Sequence, residues 1–296
     1  MIHNLVGKLR KTRKNRSYFK SETFFLKTYE SVDAAEYEFK AISAIKRGHP
    51  LRFDVPRVLK LVENSNGALC LMSCVNEEPL EEVLHRYLLR IDSDAIDIFF
   101  NVGQALRELH EIEVDYLVSR SYPSSPKKLL ESIEKNIADI AHFGVSNLPF
   151  EKASCFNKVG LDSRLFEKVT LHGEAYFTHV FCSSKNIVFV DLEQVCNGPV
   201  YFDVANFLVS LHSSLLISPL VLNRVSVLER AFLVGYFGKS IPYDSLKLAE
   251  LFIILRETLS CLEQLSLPSD LKSRYWRTFK LKRYRDLTVS LLNEFI

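Results

Sequence analysis

The sequence predicts an α+β fold of two unequal lobes, a small β-rich one followed by a larger, mostly helical one with a short embedded hairpin. Three observations lead there. Strand-like segments crowd the first 75 residues, helical spacing takes over after Pro79, and one brief β-rich block between Lys168 and Val190 interrupts the helices. No internal repeat, low-complexity tract or long linker divides the 296 residues.

Residues 23–29 (TFFLKTY) mix aromatic and β-favouring side chains and read as a strand. A helix over 31–44 follows, opened by Ser31-Val32-Asp33 and carrying apolar positions at Phe39, Ile42 and Ile45. His49-Pro50 and Val55-Pro56 punctuate the next loop. Residues 57–62 and 68–75 are two strands of a hairpin whose turn ends in Gly67. Beyond Pro79, residues 80–89, 94–110 and 128–142 show helical spacing. Residues 168–171, 180–182 and 187–190 are strand-like, the last two joined by a Ser-Ser-Lys-Asn turn. From Asp203 onward the pattern is helical, and the last helix is expected to pack Tyr275, Trp276 and Phe279 inward.

With 47% apolar and 25% charged residues, the chain has the balance of a soluble globular protein rather than a disordered one. The six cysteines form no C-x-x-C pair and read as buried small hydrophobes in a reducing cytoplasm, without zinc. The apolar run before Lys8 is too short for a signal peptide. Residues 195–222 are weakly charged but include Asp203, His212 and Pro219, so they read as a core helix plus a loop and not as a membrane span.

The net charge of +2 hides an asymmetry. Residues 8–20 carry Lys8, Arg10, Lys11, Arg13, Lys14, Arg16 and Lys20 without an acid. Residues 272–285 carry Lys272, Arg274, Arg277, Lys280, Lys282, Arg283 and Arg285, again without one. Removing these fourteen cations from the net +2 leaves the remainder at −12. Two basic segments on an acidic body are either simply well-solvated surfaces or suit an anionic acceptor or peripheral contact with a membrane surface. Stacking on nucleic acid through residues 274–280 is the weaker reading, since inward packing explains the same aromatics.

The chemistry concentrates in three stretches: Leu171-His-Gly-Glu-Ala-Tyr-Phe-Thr-His179, Ile187-Val-Phe-Val-Asp-Leu-Glu193 and Gly198-Pro-Val-Tyr-Phe-Asp203. A loop with a carboxylate, Glu174, and a second polar group five residues on, His179, leads into a hairpin that ends on Asp191. Carboxylates at strand ends beside a loop can hold a metal on a triphosphate and place a base near a hydroxyl. Read singly, each acid is more simply explained as a solvated loop residue.

Taken in order, these stretches resemble the aminoglycoside phosphotransferase and choline kinase family. That family's pattern is His-Gly-Asp, five residues to Asn, a hairpin, Asp-x-Glu or Asp-x-Asp, and a later Asp opening a helix. Upstream, Ala105-Leu-Arg-Glu-Leu-His110 looks like its Leu-x-x-Leu-His helix end. Residues 68–75 followed by Glu78-Pro-Leu-Glu-Glu-Val-Leu84 look like its strand, hinge and first large-lobe helix. The resemblance spans about residues 23–211.

The resemblance implies a protein-kinase-like fold with an N-lobe over 1–76 and a C-lobe over 77–296. It implies an ATP-dependent phosphotransferase acting on a hydroxyl of a small-molecule, sugar or lipid-linked acceptor, with Mg²⁺ or Mn²⁺. Lys27, on the third strand, would contact the α- and β-phosphates. Its carboxylate partner would be Glu38, which shares a helix face with Ile42 and Ile45, whereas Glu36 lies about 200° around the axis. Ser73 to Val75 would offer backbone groups to adenine. Glu174 would be the base, Asp191 the main metal ligand and His179 the second. His172 and Asp203 would support the loop, with His110 also structural.

Three departures set up an alternative. Glu174 stands where the family has Asp, His179 where it has Asn, and no glycine-rich phosphate loop precedes Lys27, where only Gly7 occurs. A catalytically degenerate, pseudokinase-like nucleotide-binding or regulatory protein would show such losses.

Overall fold

In a computed structural model the chain is described at all residues except 1–8, 14–15, 21–23, 65–66, 90–93, 115–116, 119, 121, 145–159, 184–185, 215–221, 268–269 and 295–296. An antiparallel sheet opens the fold, in the order β1-β2-β3-β5-β4. Its strands are β1 (Leu9–Arg13), β2 (Arg16–Lys20), β3 (Phe24–Tyr29), β4 (Val58–Asn64) and β5 (Gly67–Ser73). The β4–β5 hairpin pairs Asn64 with Gly67 and Glu63 with Ala68, as its turn chemistry predicts. Helix α1 (Val32–Arg47) crosses from β3 to β4 and buries Ala35, Glu38, Ala41, Ile42 and Ile45. Phe39, expected among its inward positions, is instead 39% exposed. At 100° per residue it lies about 60° from Ile42 but about 100° from Glu38 and 120° from Ile45, at the margin of a buried face that Ala35 and Ala41 help fill.

Strands β1 and β2 lie inside the basic segment that the sequence left without an element. They pair antiparallel, Arg13 opposite Arg16, and the segment joining them contains no glycine.

After the sheet come β6 (Glu78–Pro79), α2 (Leu80–Leu89), α3 (Asp94–Glu111) and α4 (Pro126–His142). The Ser125 hydroxyl accepts the Lys128 N–H to cap α4, and Pro126 occupies its first turn. The embedded β block then forms two small antiparallel sheets. One joins β7 (Lys168–Leu171) to β10 (Cys196–Pro199); the other runs β6-β8-β9, with β8 (Val180–Cys182) and β9 (Ile187–Phe189). Helices α5 (Tyr201–His212), α6 (Leu222–Phe237), α7 (Tyr243–Ser266) and α8 (Leu271–Glu294) complete the chain.

Helix α5 is buried along almost its whole length, Tyr201 through Val209, which explains its even hydrophobicity. Helices α3 and α6 cross at near backbone contact. A Cβ at Gly103 would come within 2.1 Å of the Phe232 carbonyl, and one at Gly235 within 2.0 Å of the Phe100 carbonyl. The two glycines therefore set that crossing. Cys70, Cys182, Cys196 and Cys261 are buried thiols and Cys74 is half-buried, while Cys155 lies outside the described residues.

The expectation for the last helix fails. Tyr275 is 67% exposed, Trp276 is 42% exposed, and Phe279 is half-buried. The inner face of α8 is supplied further along, by Tyr284, Thr288, Leu291 and Leu292. No helix among the described residues is long and apolar enough to cross a membrane.

Candidate active site

The period of two along β3 puts Lys27 and Tyr29 on one face, the face that α1 covers. Glu38 projects from α1 onto the same spot. The Lys27 ammonium lies 2.8 Å from Glu38 Oε2, 2.6 Å from Asp191 Oδ1 and 3.1 Å from Glu193 Oε2. Tyr29 donates its hydroxyl to Glu38, and the Leu192 N–H donates to the other Glu38 oxygen at 3.2 Å. Glu36 points to solvent and pairs with Lys40. One buried carboxylate thus ties β3 and α1 to the segment that follows β9.

Lys27 and Glu38 are each 2% exposed. Burial alone would strip the lysine of its proton, but Glu38, Asp191 and Glu193 outweigh it and hold the pKa above the ordinary lysine value. Burial would likewise raise the Asp191 carboxyl, yet Lys27 and His179 reverse that and hold it below its usual range. Charges so placed stabilise one another only while all are present; removing a partner strands the others.

Asp191 adopts φ 65°, ψ 56°, a left-handed conformation that Asp tolerates better than most residues. The bend sends the chain from β9 into a short 3₁₀ turn, Leu192–Gln194, which carries Glu193 back toward Lys27.

The facing loop, 172–179, is fixed from below. Asp203, fully buried at the start of α5, accepts the backbone N–H of His172 at 2.6 Å and of Gly173 at 3.0 Å. His110 Nε2 donates to the same carboxylate at 3.1 Å, and Tyr236 donates its hydroxyl to His110 Nδ1. The His172 ring lies 3.0 Å from the Val190 carbonyl through Nε2, and burial drives its pKa down to about 4, so it donates as a neutral imidazole. Gly173 sits at φ +83°, and a Cβ there would meet the Gln194 carbonyl oxygen at 2.0 Å. Only glycine lets the two loops lie this close.

His179 closes the loop on itself. Its Nδ1 lies 3.0 Å from the Glu174 carbonyl, which only an N–H can satisfy, and its Nε2 faces Asp191 Oδ2 at 3.8 Å. Burial, then Asp191, Glu193 and Glu257, pushes the Glu174 carboxyl up to about 7. Among the described residues, two sets of ligand-type atoms lie within 4.8 Å of one another: Glu174, His179 and Asp191, and Glu38, Asp191 and Glu193. Asp191 belongs to both, and no cysteine joins either.

The structure therefore brings Lys27, Glu38, Glu174, His179 and Asp191 into one cluster, with His172 and Asp203 beneath it. Ser73, at the end of β5, uses its N–H and hydroxyl on Arg57 of the neighbouring segment, and Val75 lies in the extended stretch beyond. Sequence reasoning assigned no role to Tyr29 or Glu193. The first was legible as the residue two positions after Lys27 on a strand. The second sits in the quoted Asp-x-Glu, but its partner, Lys27, is set only by the tertiary fold.

A sequence model described as the phosphotransferase enzyme family matches residues 7–236. No curated protein matches the chain. Solved structures share its fold at low identity. The GDP complex of a mutant aminoglycoside 2'-phosphotransferase IIIa is 11% identical with a TM-score of 0.67, covering 98% of this chain and 93% of that one. A choline/ethanolamine kinase family protein from Mesorhizobium loti is 14% identical with a TM-score of 0.58, covering 97% and 93%. An amicoumacin kinase in complex with AMP-PNP, Ca²⁺ and its antibiotic is 11% identical with a TM-score of 0.59, covering 96% and 91%.

Proposed function

We infer that this chain, which belongs to the phosphotransferase enzyme family, is an ATP-dependent kinase for a hydroxyl of a small-molecule, sugar or lipid-linked acceptor. The observation that carries the reading is the Lys27 ammonium held by Glu38, Asp191 and Glu193, groups from segments more than 150 residues apart. Burying a lysine among three carboxylates is a poor way to stabilise a fold. It is a good way to keep one cation aimed at the place where phosphates arrive. The likeness to a kinase bound to AMP-PNP and Ca²⁺ supports a nucleotide and a divalent ion here as well.

In this reading the lobes divide at 76/77 and the nucleotide lies between them. Lys27 binds its phosphates and Glu38 orients Lys27, while Tyr29 and the Leu192 N–H hold Glu38. Ser73 to Val75 border the adenine. The residues present fit a divalent cation: one ammonium against three carboxylates gives the Lys27 cluster a formal charge of −2, and His179 turns Nε2 toward Asp191. Asp191 and His179 would hold Mg²⁺ or Mn²⁺, which when bound offsets charge on the phosphates.

Glu174 Oε takes the proton of the acceptor hydroxyl, and its raised pKa of about 7 suits a base working near neutrality. Asp203 and His172 hold the Glu174 loop in place, with His110 behind them. The free buried thiols accord with work in the cytoplasm.

Glu174→Gln tests the assignment. Nucleotide-induced thermal stabilisation should persist while transfer to hydroxyl acceptors falls by roughly 100-fold or more. An unchanged transfer rate would remove Glu174 as the base. Nucleotide binding in the wild type with no transfer to any sugar, aminoglycoside or lipid-linked acceptor would establish the degenerate, pseudokinase-like reading instead.

A further inference from the structure

The outward face of α8 is unlike the rest of the surface. At 100° per residue, Leu271, Tyr275 and Lys282 fall within about 40° of one another, roughly opposite the buried Tyr284 and Leu291. Leu271 is 85% exposed and Tyr275 67% exposed; Leu267, at the end of α7, adds 54%. The rings are not scattered. Trp276 lies edge-on to Tyr275 and to Phe279, with centroids 6.2 Å apart in both pairs.

Along this stretch of α8 the charge is of one sign, bounded by the exposed acids Asp270 and Asp286. No acid occurs from Lys272 to Arg285, among seven cations. Three of the seven are engaged elsewhere: Arg277 donates to the Gln264 carbonyl, Arg283 to the His212 carbonyl, and Arg285 pairs with Asp286. The other four, Lys272, Arg274, Lys280 and Lys282, are exposed; Lys272, Arg274 and Lys282 flank the outward face, whereas Lys280, about 180° round from Leu271, turns toward Cys261 of α7.

We propose that this face of α8 docks the protein on a membrane surface rich in anionic lipid. Tyr and Trp rings would settle at the headgroup level, Leu267 and Leu271 at the acyl boundary, and Lys272, Arg274 and Lys282 over the phosphates. Nucleic acid accounts for less of the face, because exposed aliphatic side chains gain nothing from base stacking. A second copy of the chain is disfavoured by the like charge that two such faces would bring together. The proposal stands on the exposed face alone and is independent of the phosphotransfer reading.

Trp276 is the chain's only tryptophan, so its fluorescence reports on this face without labelling. The full chain is titrated with vesicles of phosphatidylcholine alone and with about a third phosphatidylserine, with lipids brominated in the chain as quenchers. Anionic vesicles should shift the emission to the blue, brominated lipid should quench it, and high salt should reverse both. Replacing Lys272, Arg274 and Lys282 with serine should weaken partitioning by ~100-fold, at about fivefold per cation. These positions are exposed, so an unchanged melting temperature verifies the fold. Equal response to neutral vesicles, or none to either, would overturn the proposal. So would a concentration-dependent shift without lipid, which marks self-association. An oligonucleotide that moves the emission where vesicles do not would assign the face to nucleic acid.

Discussion

Replacing Gly173 with alanine adds one carbon where the two loops of the candidate site touch. The new Cβ would stand 2.0 Å from the Gln194 carbonyl oxygen and 2.7 Å from its carbon, both backbone atoms that no rotamer change can move. The φ of +83° adds its own penalty. The left-handed conformation costs a non-glycine residue about 1–2 kcal/mol, and forced backbone displacement in a packed region costs about 1–3 kcal/mol more. The variant should therefore lose about 2–5 kcal/mol. At about 2–4 °C per kcal/mol for a chain of this class, that lowers Tm by roughly 5–15 °C.

Gly238 supplies the control. It has φ +70° at the end of α6, with nothing among the described residues within 4 Å of a Cβ. Gly238→Ala should show the conformational term alone, about 1–2 kcal/mol. Scanning calorimetry on both variants, with and without ATP and Mn²⁺, separates the terms. Gly173→Ala should also lose nucleotide-induced stabilisation, because it drives Glu174 and His179 away from Asp191. Equal Tm losses, or full nucleotide stabilisation in Gly173→Ala, would refute the claim that loop contact builds the site.

Two further predictions concern histidines. His179→Asn replaces an imidazole ligand with an amide oxygen, so ATP-dependent stabilisation should shift from favouring Mn²⁺ to favouring Mg²⁺; an unchanged preference would remove His179 from the metal site. His212, outside the site, lies 3.2 Å from Glu229 of α6 and 3.5 Å from Glu250 of α7, with Arg230 and Lys247 lining the same cavity and Arg283 of α8 on its carbonyl. Burial lowers its pKa, but the two carboxylates more than reverse this and push it up to about 10. A raised pKa stabilises the fold fully below about 6.5, and that stability is lost as pH climbs toward 10, on the order of a few kcal/mol. Wild-type Tm should fall across that window and His212→Gln should flatten the fall; parallel profiles would contradict the bridge.

The centre of the site was legible through the order of its motifs: the resemblance assigned Lys27, Glu174, His179 and Asp191, and helix phase chose Glu38 over Glu36. The 168–190 block appeared at nearly its observed bounds because its apolar runs are short and sharply ended. What escaped depends on tertiary context. Strands β1 and β2 carry cations and a glycine-free connection, so they pair only because β3 offers an edge. β10, Cys-Asn-Gly-Pro, reads as a turn until β7 pairs with it. Helix phase finds the inward face but not its edges: Phe39, about 60° from Ile42, falls just outside it, and the small Ala35 and Ala41 pack within it. On α8 the aromatics belonged outside, and Tyr284, four residues after Lys280, belonged in.

The account rests on nucleotide and metal meeting at Lys27 and Asp191. Thermal stabilisation by ATP with Mn²⁺ or Mg²⁺, compared between wild type and Asp191→Ala, tests this most directly. The wild type should be stabilised by nucleotide only when the metal is present, by about 2.7 kcal/mol at a ligand concentration 100-fold above Kd, and Asp191→Ala should lose the metal-dependent part. A wild type indifferent to millimolar ATP and metal, or an Asp191→Ala variant that responds as the wild type does, would contradict the account.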